Sequence, residues 1–136
     1  MQDGTTNKAS ALDLAGHRAD IRSVALSSDD TMLLSTSSNS TKVWNPRTGA
    51  CLRTVESGYG LSSIWAPGNR HAVIGTKDGK LQIVDIGLSM VTESIEDAHT
   101  GAVWSIVSLP DRSGFVSGSA DKTVKFWEWV LSTGEG

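Results

Sequence analysis

Short apolar-rich runs, each bounded by polar turn clusters, recur along the chain in one fixed order. A first run, IRSVAL, LSSIWA or AVWSIV, is followed by a turn, SSDDT, PGNR or PDRS. A second run comes next, MLLST, HAVIGT or GFVSGS, and a tight turn leads to a third, TKVW, KLQIV or TVKFW. A fourth run, CLRTV or MVTESI, is visible in two of the units. Runs this short, with turn signals about every 8–12 residues, predict strands and an all-β fold. No window carries a helical period.

The order is a repeat. GTKDGKLQIVD, Gly75 to Asp85, aligns without a gap on GSADKTVKFWE, Gly118 to Glu128, so that Asp78 meets Asp121 and Val84 meets Trp127. STSSNSTKVWN, Ser35 to Asn45, has the same shape, with one residue fewer between its Gly/Ser cluster and Trp44. The ends of the third runs, Asn45, Asp85 and Glu128, lie 40 and 43 residues apart. A period near 40 marks an architecture of stacked supersecondary units. The turn before each third run has its own chemistry: Asp78-Gly79 is a hairpin signal, and Asp accepts bonds from nearby backbone N–H groups. These aspartates read as turn residues rather than catalytic acids.

Composition adds limits. The 136 residues suit one domain, and the net charge of −3 gives no global basic field for nucleic acid. Arg18, Arg22, Lys42, Arg47 and Arg53 still fall in the first half, while Glu93, Glu96 and Asp97 cluster later. The single cysteine, Cys51, allows no internal disulfide and no multi-cysteine metal site, and reads as a small packed side chain. No apolar run approaches the roughly 18 residues of a membrane helix, so no membrane partner is expected. Residues 1–10 and 131–136 read as tails, the first of them flexible.

The repeat resembles the WD-repeat β-propeller family, with Gly-His near the start of a unit and Trp-Asp at the end of its third strand. GHRADIRSVAL carries Gly16-His17, AHTGAVWSI keeps His99, and GYGLSSIW has neither pair. The unit ends are Trp44-Asn45, Val84-Asp85 and Trp127-Glu128, none a literal Trp-Asp. The resemblance implies a propeller segment of about three four-stranded antiparallel blades over 11–130, too few to close a ring. The expected divisions are 16–55, 56–95 and 96–130, with Ala11–Ala15 as the outer strand of a preceding blade. Two chains could complete each other as six blades, a homodimer of the isolated piece, although an excerpt of a larger propeller with exposed edges is the simpler expectation. The resemblance also implies a hydrogen-bonded chain inside each blade. The third unit supplies His99, Ser117, Asp121 and Trp127; the first supplies His17, Ser35 and Trp44, with Asn39 at the Asp position; the second retains Asp78 alone. A catalytic His-Ser-Asp reading of the same residues lacks a nucleophile turn.

Propellers present partners with a rigid face. By alignment, that face would be marked by Asp20 and Arg22, by Ser62, by Ala102 and Trp104, and by Ser38, Lys77 and Ala120 before the turns. Trp and Arg are enriched at binding hot spots, which favours Trp104 and Arg22. Blade packing is the competing reading for Trp104, and pairing with Asp20 for Arg22. Trp65 and Trp129 read as packing residues, and His71 as a surface residue. Arg18, Arg22, Arg47 and Arg53 could touch RNA phosphates, a peripheral and salt-sensitive contact. The chain offers no metal-ligand spacing and no phosphate-cradling loop, so no cofactor, metal or catalytic residue is expected. The units taken together also look like consecutive blades of a double-propeller subunit of the UtpB complex of the small-subunit processome. That implies a non-catalytic scaffold in pre-rRNA processing, in the nucleolus of the nucleus, with UtpB-like subunits as partners. The alternative is a peptide-binding adaptor such as a ubiquitin-ligase substrate receptor.

Overall fold

A computed structural model describes residues 16–130 except 18. Within them the first sheet contains β1 (Ser23–Leu26), β2 (Leu33–Thr36), β3 (Ser40–Trp44) and β4 (Cys51–Glu56). The second contains β5 (Gly60–Trp65), β6 (His71–Thr76), β7 (Leu81–Asp85) and β8 (Met90–Ile95). The third contains β9 (Val103–Ser108), β10 (Gly114–Ser119) and β11 (Val124–Glu128). Each sheet is an antiparallel meander whose strands pair in chain order. Among the described residues the fold is all-β, a propeller segment whose three sheets do not close a ring. The third sheet has three strands among the described residues where four-stranded blades were expected. The strand expected at 11–15 and the tails at 1–10 and 131–136 lie outside the described residues.

Local sequence explains the meanders. The turns after the first strand of each sheet all pass through the left-handed region, at Asp30 (φ 63°), Asn69 (φ 59°) and Arg112 (φ 64°). Asp and Asn enter that region at low cost. Arg112 is held there by its backbone N–H, which donates to the Leu109 carbonyl at 2.9 Å. In the hairpin joining β6 and β7 the left-handed residue is Gly79 (φ 93°).

The core lies between sheets, not within them. Leu34, Val43 and Val55 of the first sheet pack on Trp65, Ala72, Ile74 and Val84 of the second. Ile64, Val73 and Leu81, from the other face of the second sheet, pack on Val103, Ile106 and Phe115 of the third. Alternation along β6 therefore serves two cores, with Ala72 and Ile74 on one and Val73 on the other. This explains why HAVIGT reads as an unbroken apolar run: both faces are covered. Each fully buried Val, Ile or Leu contributes about 1.5–3 kcal/mol. Polar stitches cross the same seams. Trp65 Nε1 donates to the Ala25 carbonyl at 2.9 Å, and the Ser23 and Ser63 hydroxyls meet at 2.8 Å.

The repeat exposes one unfinished face. The cross-strand pair Leu34–Val43 of the first sheet corresponds to Val73–Ile83 of the second and Val116–Phe126 of the third. The first pair is fully buried by the second sheet, and Val73 is fully buried by the third. Phe126 is 74% exposed, and Val107 and Val124 share its face. An apolar sheet face of this kind drives association. The purified chain is expected to self-associate, with a light-scattering mass near twice 14.4 kDa or higher, and Phe126→Lys to return it toward 14.4 kDa. A monodisperse monomer before substitution would contradict the expectation.

Candidate partner-binding site

In the third sheet a polar chain is built on the face that packs against the second sheet. Trp127 Nε1 donates to Ser117 Oγ at 2.8 Å, and Ser117 Oγ lies 2.7 Å from His99 Nε2. His99 Nδ1 lies 3.0 Å from Asp121 Oδ2 and 3.0 Å from Thr123 Oγ1. One direction satisfies every atom: indole N–H to serine, serine O–H to Nε2, and Nδ1–H to the carboxylate. His99 and Ser117 are buried. The arrangement has the connectivity of a catalytic triad, but Ser117 Oγ is sealed and already accepts the indole proton, so no substrate carbonyl can reach it.

The first sheet repeats part of this chain. His17 Nε2 lies 2.6 Å from Ser35 Oγ, which accepts from Trp44 Nε1 at 2.8 Å. Asn39 stays outside it. Asn39 accepts from Ser37 Oγ at 3.3 Å, and His17 Nδ1 faces Ser40 Oγ at 3.4 Å instead. The turn here is one residue shorter, so the amide caps its own loop. In the second sheet Ile74 and Val84 occupy the serine and tryptophan positions and join the apolar core. Asp78 there accepts from Thr76 Oγ1, and Lys80 Nζ lies 3.6 Å from Asp78 and 3.1 Å from Glu96.

These networks set an acid limit. The Thr123 hydroxyl first, then the backbone N–H groups of Thr100 and Thr123 and the His99 ring, hold the Asp121 carboxyl far below the usual carboxylate range, against the opposing effect of burial. Its stabilisation is complete above that range and is lost as pH falls through the depressed value. Burial, and after it the Lys42 charge, lowers the His17 pKa. That contribution is complete above about 6.5 and is lost as pH falls below it. Thermal melts from pH 8 to 3 should therefore show a first decline below about pH 6.5 that His17→Asn removes, and a steeper one in acid that Asp121→Asn reduces. A melting temperature flat between pH 7 and 5 would contradict the first step.

The partner-face candidates divide. Asp20, Arg22 and Ser38 line a shallow cleft of ≈300 Å³ together with Ala19 and Tyr59. Arg22 Nη2 donates to the Tyr59 hydroxyl at 3.0 Å, and its guanidinium carbon lies 5.7 Å from the ring centroid. Lys77 Nζ lies over the same ring at 4.9 Å. Among the described residues Arg22 makes no ion pair with Asp20. Tyr59 is the residue that sequence reasoning missed. Its only signal was being the sole tyrosine, at the seam between two units.

Ser62 does not belong to this surface. It is buried and donates to the Val103 carbonyl across the seam at 3.0 Å. The cause is a bulge: Gly60 pairs with Thr76 and Ser62 with Gly75, leaving Leu61 as the extra residue. The third sheet bulges likewise, with Val103 opposite Ser119 and Ser105 opposite Gly118. The counterpart of Leu61 there is Trp104, which is 61% exposed and belongs to neither core. Arg47 lies in the turn joining β3 and β4, at the opposite end of the strands from Arg22, and Arg53 lies on β4, the edge strand farthest from β1; Arg18 is outside the described residues. Cys51, expected to pack, is exposed.

Comparison with known proteins settles the family. The sequence profile of the WD domain, G-beta repeat matches residues 9–45 and 91–128. The chain belongs to the WD domain, G-beta repeat family. Among WD-repeat relatives, the WD repeat-containing protein 3 homolog of Dictyostelium discoideum is 49% identical over 94% of this chain and 14% of its own length. WD repeat-containing protein 3 of Homo sapiens is 47% identical over 91% of the chain and 13% of itself. The U3 small nucleolar RNA-associated protein 12 of Saccharomyces cerevisiae is 43% identical, again over 91% and 13%. The WD-repeat chain thus spans about one seventh of the length of these relatives.

Proposed function

We propose that this WD-repeat segment is part of a non-catalytic scaffold that holds protein partners during assembly of the small ribosomal subunit. The observation that carries the reading is the match to WD repeat-containing protein 3 and to a protein named for association with the U3 small nucleolar RNA, each covering at least 91% of the chain. The site chemistry agrees with it: the titratable residues that resemble a triad are consumed inside a blade, and the open residues are contact residues. Contact residues are assigned as Asp20, Arg22, Ser38 and Lys77 with Tyr59, and separately Trp104. Partners are other subunits of the assembly, of the UtpB kind, with RNA touched at the periphery, and the site of action is the nucleolus. The test is affinity recovery of the tagged full-length protein from nuclear extract after RNase treatment. The small-subunit assembly proteins should remain bound. Their complete loss, or recovery of none before RNase, would refute the reading.

A further inference from the structure

Two cations meet one aromatic ring at the seam of the first two sheets. Arg22 comes from the approach to β1, Tyr59 from the link between β4 and β5, and Lys77 from the hairpin after β6. Each is fixed through its backbone: Arg22 N–H donates to the Thr36 carbonyl at 2.8 Å, and Lys77 N–H to the Tyr59 carbonyl at 2.8 Å. Elsewhere on the second sheet Lys80 and Arg70 have partners. Lys80 pairs with Asp78 and Glu96, and Arg70 with Asp85 at 3.2 Å. Among the described residues, neither Arg22 nor Lys77 has a carboxylate within 4.0 Å. Both are exposed.

With no carboxylate within 4.0 Å among the described residues, the two cations repel, and the ring offsets this only in part through its negative face. An anion placed between them relieves the repulsion. We propose that the Arg22–Tyr59–Lys77 cluster is a receptor site for an anionic side chain, carboxylate or phosphate, on an extended peptide of a protein partner. This deepens the scaffold reading above and rests on it. Arg22 spends one N–H on the Tyr59 hydroxyl, so its fork is oriented before binding and keeps further donors for two oxygens. Lys77 adds a point charge from the second sheet. Pre-orientation lowers the ordering cost that weakens flexible surface pairs.

Four features favour a peptide over RNA. Tyr59 is half-buried with both cations over its ring, whereas single-stranded RNA binding relies on aromatic faces open to bases. Asp20 lines the same cleft and opposes a continuous phosphate backbone. Ser38, on the cleft wall, suits the backbone or a donor side chain beside a single acid. The chain's net charge of −3 supplies no long-range attraction for a polyanion.

The experiment uses the full-length protein and three fluorescent probes: a peptide rich in Ser and Glu, the same peptide with phosphoserine, and a single-stranded RNA oligonucleotide. Anisotropy should show binding of one or both peptides, weakened by added salt. Arg22→Gln and Lys77→Gln should each weaken it about tenfold, and Tyr59→Phe about threefold, with unchanged melting temperatures because both charges are exposed. Tighter binding of the phosphopeptide identifies phosphate as the anion; equal binding identifies carboxylate. RNA binding that falls with the same substitutions while the peptides stay unbound overturns the proposal. So does peptide binding indifferent to both charge removals, or no binding at all. If the peptides fail while the protein still enters its assembly, the site is wrong and the scaffold reading stands. If they bind while the protein enters no such assembly, the scaffold reading is wrong and the site stands.

Discussion

Replacing His99 with leucine is expected to lower the folding stability of the chain by about 3 kcal/mol. The imidazole is the centre of a closed relay, with Ser117 on one nitrogen and Asp121 on the other. Its side chain is fully buried, and that of Asp121 is 10% exposed. Leucine fills the space but accepts nothing from Ser117 and donates nothing to Asp121. Two buried groups lose a partner, each at a cost of roughly 1–3 kcal/mol. Water does not replace them, because the His99 and Ser117 side chains are buried. Urea denaturation would read the loss as a lower midpoint at unchanged slope. Adding Ser117→Ala to His99→Leu should cost less than Ser117→Ala alone, since the orphaned hydroxyl is then removed. The same change at His17 should cost only about 1 kcal/mol, because that ring is partly exposed and its second bond is long. A His99→Leu variant within about 0.5 kcal/mol of the unaltered chain would contradict the account.

Gly75→Val should be destabilising by about 3 kcal/mol, while Gly118→Val, at the equivalent register position, should be nearly neutral. A Cβ on Gly75 would stand 2.4 Å from Ser62 Oγ and 2.7 Å from Val103 Cγ1. Both belong to the seam between the second and third sheets, so the added carbon would push the sheets apart and break the Ser62–Val103 hydrogen bond. A Cβ on Gly118 meets nothing within 4 Å among the described residues. Valine there would add to an exposed strand surface, where β-branched residues are well accommodated. The pair separates a role of glycine in close approach from one in strand flexibility. Paired urea melts decide it; equal costs at the two positions would show that the seam does not set the requirement.

The residues differ in how openly they announced this structure. The strands HAVIGT, GFVSGS and MVTESI stand where their apolar-rich runs and flanking turns put them, because a meander is fixed by local turn chemistry. Ser62 was misplaced because its direction depends on a bulge, and a one-residue slip in register turns a side chain to the other face. The same slip makes Trp104 correspond to Leu61. Asn39 looked like an aspartate counterpart, yet the shorter turn aims it at Ser37. Tyr59 gained its place only through two residues, one 37 positions before it, that no local pattern links to it. Seams between sheets are long-range products of packing, and the candidate contact site lies on one.

The proposed role of this chain is as part of a scaffold in assembly of the small ribosomal subunit. Its most direct test is depletion of the full-length protein in cells, followed by measurement of free small and large subunits on a sucrose gradient. Small subunits should fall with large subunits in excess, and the unaltered protein should restore them. An unchanged ratio of small to large subunits after effective depletion would contradict it.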